Sequence, residues 1–268
     1  MARLARSAAV PPPVALPGDV RLMNLVAGSI FVLAVLAMLG AGVMWLSRSP
    51  AFSIRSIQLE GEIVRNNVNT IRANTTSRLA GNFFSVDLAK ARAAFESVPW
   101  VRRAVVRRIW PDRLVVQLEE HHAAALWQDD DRGDRLVNSH GEVFVANVGD
   151  VEDEALPTFG GPEGSSAPML AMYERLQPVL RKLGIEIEVL SLSTRGSWRV
   201  LLDNGAAVEL GRGSEKEVAE RTERFVRTLP EITKRYRQPL EYADLRHTDG
   251  YAVRLRGVTT AVPSAGKP

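Results

Sequence analysis

The side chains best suited to chemistry are scarce in this sequence and poorly spaced for it. Cysteine is absent, which rules out disulfides and thiolate metal ligands. His121 and His122 are adjacent, so on a strand they would point to opposite faces and could not easily share one ion. The remaining histidines, His140 and His247, have no metal-ligand spacing either. The histidines therefore predict no metal site.

Acidic clusters are the other candidates for catalysis or metal binding. Residues 129–131 are three consecutive aspartates, but no calcium-loop register with its glycine and final glutamate fits them, so we interpret them as a solvated turn. Glu119 and Glu120 could serve as acid and base, yet carboxylate pairs are common on surfaces. No phosphate-binding loop, dinucleotide fingerprint or nucleophile elbow is present. The sequence favours a binding protein without a cofactor over an enzyme.

Residues 22–47 form a run without a charged side chain, bracketed by Arg21 and Arg48. As a helix rising ~1.5 Å per residue, the run would cross a hydrocarbon core of ~30 Å. A cleaved signal peptide is the alternative, but its apolar stretch would span only about 7–15 residues. The basic residues of the 1–21 tail favour a cytoplasmic N-terminus, which puts residues 48–268 beyond the membrane. The net charge of +3 is too balanced to suggest nucleic acid.

The first segment beyond the membrane, residues 48–120, has the pattern β-α-α-β-β. Its predicted elements are a strand at 54–60, helices at 66–79 and 88–98, and strands at 101–109 and 114–118. Ser85 or Asp87 caps the second helix and Pro99 stops it. Arginines occupy both alternating faces of the strand at 101–109, so its register stays open. A solvated face near the membrane is favoured over phosphate or lipid binding for these arginines: Arg102, Arg103, Arg107 and Arg108.

The remaining segment, residues 121–258, predicts a larger β-rich domain of mainly antiparallel strands with flanking helices. Strands are predicted at 123–127, 136–138, 143–145, 185–192, 198–202, 208–210, 240–245 and 251–255, and helices at 169–183 and 214–229. The stretch 156–165, rich in glycine and proline, predicts a loop. Residues 259–268 are mostly small residues and proline, and we expect this tail to be disordered.

Several residues in this second segment predict turns, helix caps and helix breaks. Asn204-Gly205 predicts a tight hairpin turn, because glycine accepts positive φ. Ser214 with Glu217 predicts a capping box that opens the last helix. Pro178 is expected to kink or split the first helix, and Pro230 to end or bend the second.

The order of these segments and their sequence motifs resemble those of a known protein family. The 48–120 segment resembles a POTRA domain, a small protein-docking module found near membranes. Two motifs in this segment are similar to the signature of the FtsQ/DivIB family of bacterial cell-division proteins. They are FSIRSIQLEG at 52–61 and PWVRRAVVRRIWPDRL at 99–114. The resemblance continues through LVNSHGEVF at 136–144, GPEGS at 161–165, RGSW at 195–198 and DLRHTDGYAV at 244–253. His247 is a departure, since tyrosine is usual there.

The resemblance implies an α+β protein with one N-terminal transmembrane helix, a POTRA domain and a β domain. It implies a single-pass inner-membrane protein, its N-terminus cytoplasmic and its ectodomain periplasmic, at the division septum. It also implies a docking scaffold that binds FtsB and FtsL, with the FtsB contact on the final strand and the preceding helix. The matched partner-binding positions are Arg195, Arg246, Gly250, Ala252 and Val253, with His247 and Tyr251 as neighbours.

Other interpretations stay open at this stage. Ordinary hairpin structure would also explain the last positions, with Gly250 needed for a turn and Val253 for core packing. A POTRA protein of outer-membrane assembly or secretion is one alternative, although it would carry a signal peptide and a β-barrel. An anchored periplasmic enzyme is the other, and it would need a catalytic constellation.

Overall fold

A single apolar helix opens the structure, which is a computed structural model describing residues 18–47, 49–61, 63–65, 71, 81–128, 135–247 and 250–258. Helix α1, Gly18–Ser47, contains an 18-residue stretch with a mean hydropathy of 2.4, and none of its residues is buried. At ~1.5 Å per residue it is long enough to cross a bilayer with some tilt. It begins four residues before the charge-free run and ends with it.

The first folded unit is a three-stranded sheet covered by a helix. Its elements are β1 (Ser56–Glu60), α2 (Leu88–Glu96), β2 (Val101–Ile109) and β3 (Arg113–Glu120). The sheet order is β1-β3-β2, with β1 parallel and β2 antiparallel to the central β3. Of the two predicted caps of α2, Asp87 is the one used, and its carboxylate accepts the backbone N–H groups of Ala89 and Lys90. Most of the helix predicted at 66–79 lies outside the described residues.

Burial resolves the register of β2 that the arginine pattern left open. Val101 and Ala104 are buried against α2, whereas Arg103, Arg107 and Arg108 are exposed. On β3 the predicted alternation of buried Leu114, Val116 and Leu118 is present, but Val115 is buried as well.

The second unit is a mixed sheet of nine strands in the order β12-β11-β10-β9-β8-β7-β4-β5-β6. Five of the eight pairings between these described strands are antiparallel and three are parallel. The strands are β4 (Ala123–Gln128), β5 (Arg135–Asn138), β6 (Val143–Val145), β7 (Thr158–Gly160), β8 (Ile187–Leu192), β9 (Trp198–Leu202), β10 (Ala207–Gly211), β11 (Leu240–Asp244) and β12 (Ala252–Leu255). Two helices, α3 (Ser166–Leu180) and α4 (Glu215–Tyr236), pack their apolar faces into its core. The α+β prediction is confirmed.

The loop predicted at 156–165 is partly wrong, because it contains β7. This strand lies between β4 and β8 and pairs in parallel with both. Phe159 at its centre is completely buried in the main core. Three residues between glycines and prolines carry too little periodicity to be recognised as a strand, and the two neighbouring strands impose the extended conformation.

Neither internal proline ends its helix. α3 runs past Pro178 to Leu180, followed by a short 3₁₀ helix at Arg181–Leu183. α4 runs past Pro230 to Tyr236, so Pro230 does not end the helix, and the alternative of a bend stays a prediction. A proline costs about 3 kcal/mol inside a helix, and packing of the buried stripe, which includes Leu229, offsets it.

The hairpin and the capping box are confirmed. Gly205 joins β9 to β10 with a φ of 81°, and its N–H donates to the carbonyl of Leu202. Ser214 and Glu217 exchange their side-chain and backbone hydrogen bonds at the start of α4.

Candidate partner-binding edge

Strand β12 forms one edge of the nine-stranded sheet. It pairs with β11 on one side, and no strand among the described residues pairs with it on the other. Ala252 and Arg254 are exposed, whereas Val253 and Leu255 pack against the core. Side chains thus alternate between solvent and core along an edge whose backbone groups can accept another chain.

The backbone direction of β12 follows from one hydrogen bond. Arg256, immediately after the strand, donates its N–H to the carbonyl of Pro239 at 3.0 Å, on the β11 side. Because N–H groups alternate in direction along a strand, those of Ala252 and Arg254 also face β11. The N–H groups of Val253 and Leu255 therefore face the open edge.

Tyr251 connects the start of this strand to α4. Its ring meets the buried ring of Phe225 edge-on, with centroids 5.2 Å apart, and its hydroxyl shares a hydrogen bond with Thr228. Gly250 has no left-handed φ, and a Cβ at this position would meet open space, so turn geometry does not demand glycine there. Thr248 and Asp249, at the predicted turn, lie outside the described residues.

Arg246 is held at the end of β11 by Asp244. Its Nε donates to Oδ1 at 2.9 Å and its Nη2 to Oδ2 at 2.6 Å, while its backbone N–H donates to Oδ1 at 3.0 Å. These hydrogen bonds lower the pKa of the buried Asp244 carboxyl to about 2 and raise the pKa of Arg246. The guanidinium stays more than half exposed and is fixed in direction.

The fold brings Arg195 and Arg246 into one depression of about 440 Å³, although they are far apart in sequence. Arg195 lies in the turn between β8 and β9. The depression also contains Arg212 and Arg221, which the sequence did not predict as site residues. The lining residues are Ser193, Arg195, Ser197, Gly211, Arg212, Arg221 and Arg246. We call this set the arginine depression.

Glycine at position 211 permits this arrangement. Its φ is +80°, and a Cβ there would lie 2.8 Å from Cγ of Arg246. His247 lines a neighbouring depression of about 300 Å³ that also contains Arg224 and two carboxylates, Glu217 and Glu220. Arg212, Arg221 and Arg246 line both depressions, and Arg246 is also paired with Asp244. The lining of the arginine depression itself contains four arginines and no carboxylate, so its guanidinium groups suit an acidic ligand.

Trp100 joins the two folded units. Its ring packs in a cluster with Leu136 and Phe144, and its Nε1 donates to Oδ2 of Asp150 at 2.9 Å. Arg102 adds an ion-pair bridge, because it donates to Glu119 of β3 and to Glu142 before β6. Of the four arginines of β2, Arg102 is therefore a structural residue.

The remaining candidates for chemistry have structural roles. Glu120 is buried and accepts the N–H groups of Val64 and Arg65. His121 lies in the connection before β4, stacks on Phe144 and contacts Asn138, and burial lowers its pKa. Within the described residues, no group of three or more histidine or acidic side chains could hold a metal ion. The three aspartates at 129–131 lie outside them.

An apolar N-terminal helix long enough to cross a membrane, a small three-stranded unit and a nine-stranded mixed sheet with an open edge define the class of a single-pass membrane protein with two folded units. The family model described as "POTRA domain, FtsQ-type" matches residues 52–121, and "Cell division protein FtsQ/DivIB, C-terminal" matches residues 125–246. The chain belongs to the FtsQ/DivIB family of cell-division proteins. It is therefore a single-pass membrane protein of bacterial cell division.

Curated relatives agree over nearly the full length. The chain is 42% identical to the cell division protein FtsQ of Burkholderia pseudomallei, over 90% of this chain and 94% of the relative. It is 40% identical to the FtsQ of Bordetella pertussis, over 88% and 92%, and 32% identical to that of Neisseria meningitidis, over 84% and 92%. The domain boundaries expected from the sequence stay predictions.

Proposed function

We propose that this protein is a non-enzymatic scaffold of the division machinery that holds FtsB, and with it FtsL, on the far side of the inner membrane. In this proposal the N-terminus is cytoplasmic, the folded units are periplasmic, and the protein concentrates at the septum. Family membership argues against the alternatives of outer-membrane assembly and of an anchored enzyme.

The open edge of β12 is the observation that carries the proposal. A segment of FtsB added as a further strand would bind the outward N–H groups of Val253 and Leu255. Backbone hydrogen bonds would supply affinity, and side chains such as that of Ala252, exposed beside the edge, would supply selectivity.

The arginine depression supports the same site. Arg246 stands at the end of β11, the partner of β12, with its guanidinium fixed by Asp244. An FtsB segment with carboxylates beyond its strand would meet Arg195 and Arg246 together. His247 and Gly250 are neighbours of this path, whereas Tyr251 contributes by holding β12 on α4.

A pair of proline variants in the full chain tests the edge. Val253→Pro removes an N–H that faces the open edge, a position where proline is tolerated in sheets. Val145→Pro is the matched control on the opposite edge strand, β6. Asn138 donates its N–H to Glu142, so by alternation the N–H of Val145 also faces outward.

We expect Val253→Pro to lose co-purification with FtsB while keeping the circular dichroism of the parent chain. Val145→Pro should retain both. If a folded Val253→Pro chain captures FtsB as well as the control does, the β12 assignment is wrong.

A further inference from the structure

Three segments meet at one end of the POTRA unit. Phe83 donates its N–H to the carbonyl of Phe52, just after the membrane helix. Arg55 donates its N–H to the carbonyl of Asp112, in the turn between β2 and β3. Arg108 at the end of β2 donates to the carbonyl of Val86. We call residues 50–55, 81–86 and 107–113 together the entry end, because the chain enters the ectodomain there.

The second folded unit lies at the other end of β2. Strand β2 begins at Val101, next to Trp100 in the junction with the second unit, and finishes at Ile109 in the entry end. At ~3.3 Å per residue, the eight steps from Val101 to Ile109 separate the two ends by about 26 Å. The entry end therefore lies at the opposite end of β2 from the Trp100 contacts with the second unit.

Exposed aromatic side chains concentrate at the entry end. Trp110 is 72% exposed and Phe84 is 50% exposed, and they are the only exposed tryptophan and phenylalanine among the described residues outside α1. Ile109 beside them is also exposed. Phe84 is held in place, since its ring meets that of Phe52 edge-on with centroids 5.0 Å apart.

The membrane surface is within reach of these side chains. Phe52 follows Ser47, the last residue of α1, by five residues, which span at most about 18 Å even when fully extended. The side-chain amide of Asn82 donates to the carbonyl of Ser47, so the 81–86 loop touches the end of the helix. The polar layer of a bilayer is about 5–7 Å deep on each side, and α1 ends at or near it.

The charge of the entry end suits phospholipid headgroups. Arg55, Arg107, Arg108 and Arg113 are exposed, and Arg113 lies opposite Ile109 in the strand register. Asp112, the one carboxylate of the entry end, pairs with Arg55, and the adjacent Asp87 caps α2 and pairs with Lys90. The surface therefore combines apolar rings with an excess of positive charge.

We infer that the entry end is a membrane-binding surface, which inserts Trp110, Phe84 and Ile109 into the interfacial layer of the bilayer that α1 spans. Tryptophan favours this layer because its ring is apolar and its N–H is polar. The arginines contact anionic phospholipid headgroups. Anchoring at two points fixes the tilt of the POTRA unit and the height of the second unit above the membrane. This surface is separate from the site proposed for FtsB.

The absence of native cysteine allows a direct test with the full chain. Ile109→Cys and, as a distant control, Val145→Cys are labelled with an environment-sensitive fluorophore and reconstituted in lipid nanodiscs. One set of discs contains phosphatidylcholine alone and the other contains phosphatidylglycerol as well. We expect the label at 109 to shift to the blue and to be quenched by lipids carrying a nitroxide, more strongly with phosphatidylglycerol, while the label at 145 behaves as in water.

A second substitution, Trp110→Ser in the Ile109→Cys chain, is expected to return the emission toward that of the control. Trp110 is exposed, so the variant should fold, and its capture of FtsB should be unchanged. A label at 109 that behaves like the label at 145 in both kinds of disc overturns the inference. Shielding that develops only when a partner protein is added also overturns it, because a protein then covers the surface.

Discussion

Arg246 makes a two-point hydrogen bond to Asp244, the last residue of β11, and this contact holds the guanidinium in the arginine depression beside Gly211. A surface ion pair contributes little, but this carboxylate is buried and also accepts the backbone N–H of Arg246. The pair therefore connects the fold of the last hairpin with the site proposed for FtsB.

Asp244→Asn is expected to weaken both stability and FtsB capture. The amide cannot replace both charged hydrogen bonds, and the loss is about 2 kcal/mol in the free energy of unfolding. Arg246→Ala should weaken capture at least as much, because it removes the guanidinium itself. Urea unfolding of the purified chain, with co-purification of FtsB, measures the two effects. An Asp244→Asn chain of unchanged stability would contradict this role.

The Asp244–Arg246 pair also predicts that the stability of the folded chain falls at low pH. The pKa of Asp244 is lower in the folded chain, about 2, than in the unfolded chain, about 3.9. The stabilisation is therefore complete above about pH 4 and is lost as the pH falls toward 2. Melting temperatures between pH 2 and 5 should fall more steeply for the parent chain than for Asp244→Asn.

Charge reversal in the arginine depression tests its ligand. Arg195→Glu should reduce FtsB capture and make the remaining binding less sensitive to salt, because an attraction becomes a repulsion. Arg181→Glu is the matched control, since Arg181 is an exposed arginine after α3, outside the depression. Equal losses in the two variants would mean that overall charge, not this depression, governs binding.

Trp100 is predicted to be the main stabilising residue between the two folded units. Trp100→Ala should cost about 3–5 kcal/mol, because it empties a buried position in the cluster with Phe144. Trp100→Phe keeps much of the ring and loses the hydrogen bond to Asp150, so a smaller loss of about 1 kcal/mol is expected. Denaturant unfolding distinguishes the two, and equal losses would argue against ring packing as the main contribution.

His121 should make the same junction sensitive to mild acid. Burial lowers its pKa in the folded chain, so the unfolded chain binds a proton more readily. Stability is then highest above about pH 6.5 and falls as the pH drops below that value. His121→Phe retains an aromatic ring against Phe144 and should lack this fall. Melting curves from pH 5 to 8 measure the difference.

Local signals predicted many elements correctly because the responsible forces act within a few residues. Asn204-Gly205 and the Ser214–Glu217 box have the turn and cap that their side chains favour. Strand β7 was missed, and Pro178 does not split α3 nor does Pro230 end α4. In those places contacts with distant strands and helices outweigh the local preference.

The sequence by itself determined the anchor, because crossing a bilayer requires only a long charge-free helix. It also determined the family, through motifs that are spread along the chain. Only the tertiary structure decided which residues stand together. Arg195 and Arg246 share one depression because β8, β10 and β11 lie close together in one sheet. Trp110, Phe84 and Arg55 meet at the entry end through backbone hydrogen bonds between segments that are distant in sequence. Such proximity depends on strand order and register, which a periodic pattern along one chain does not contain.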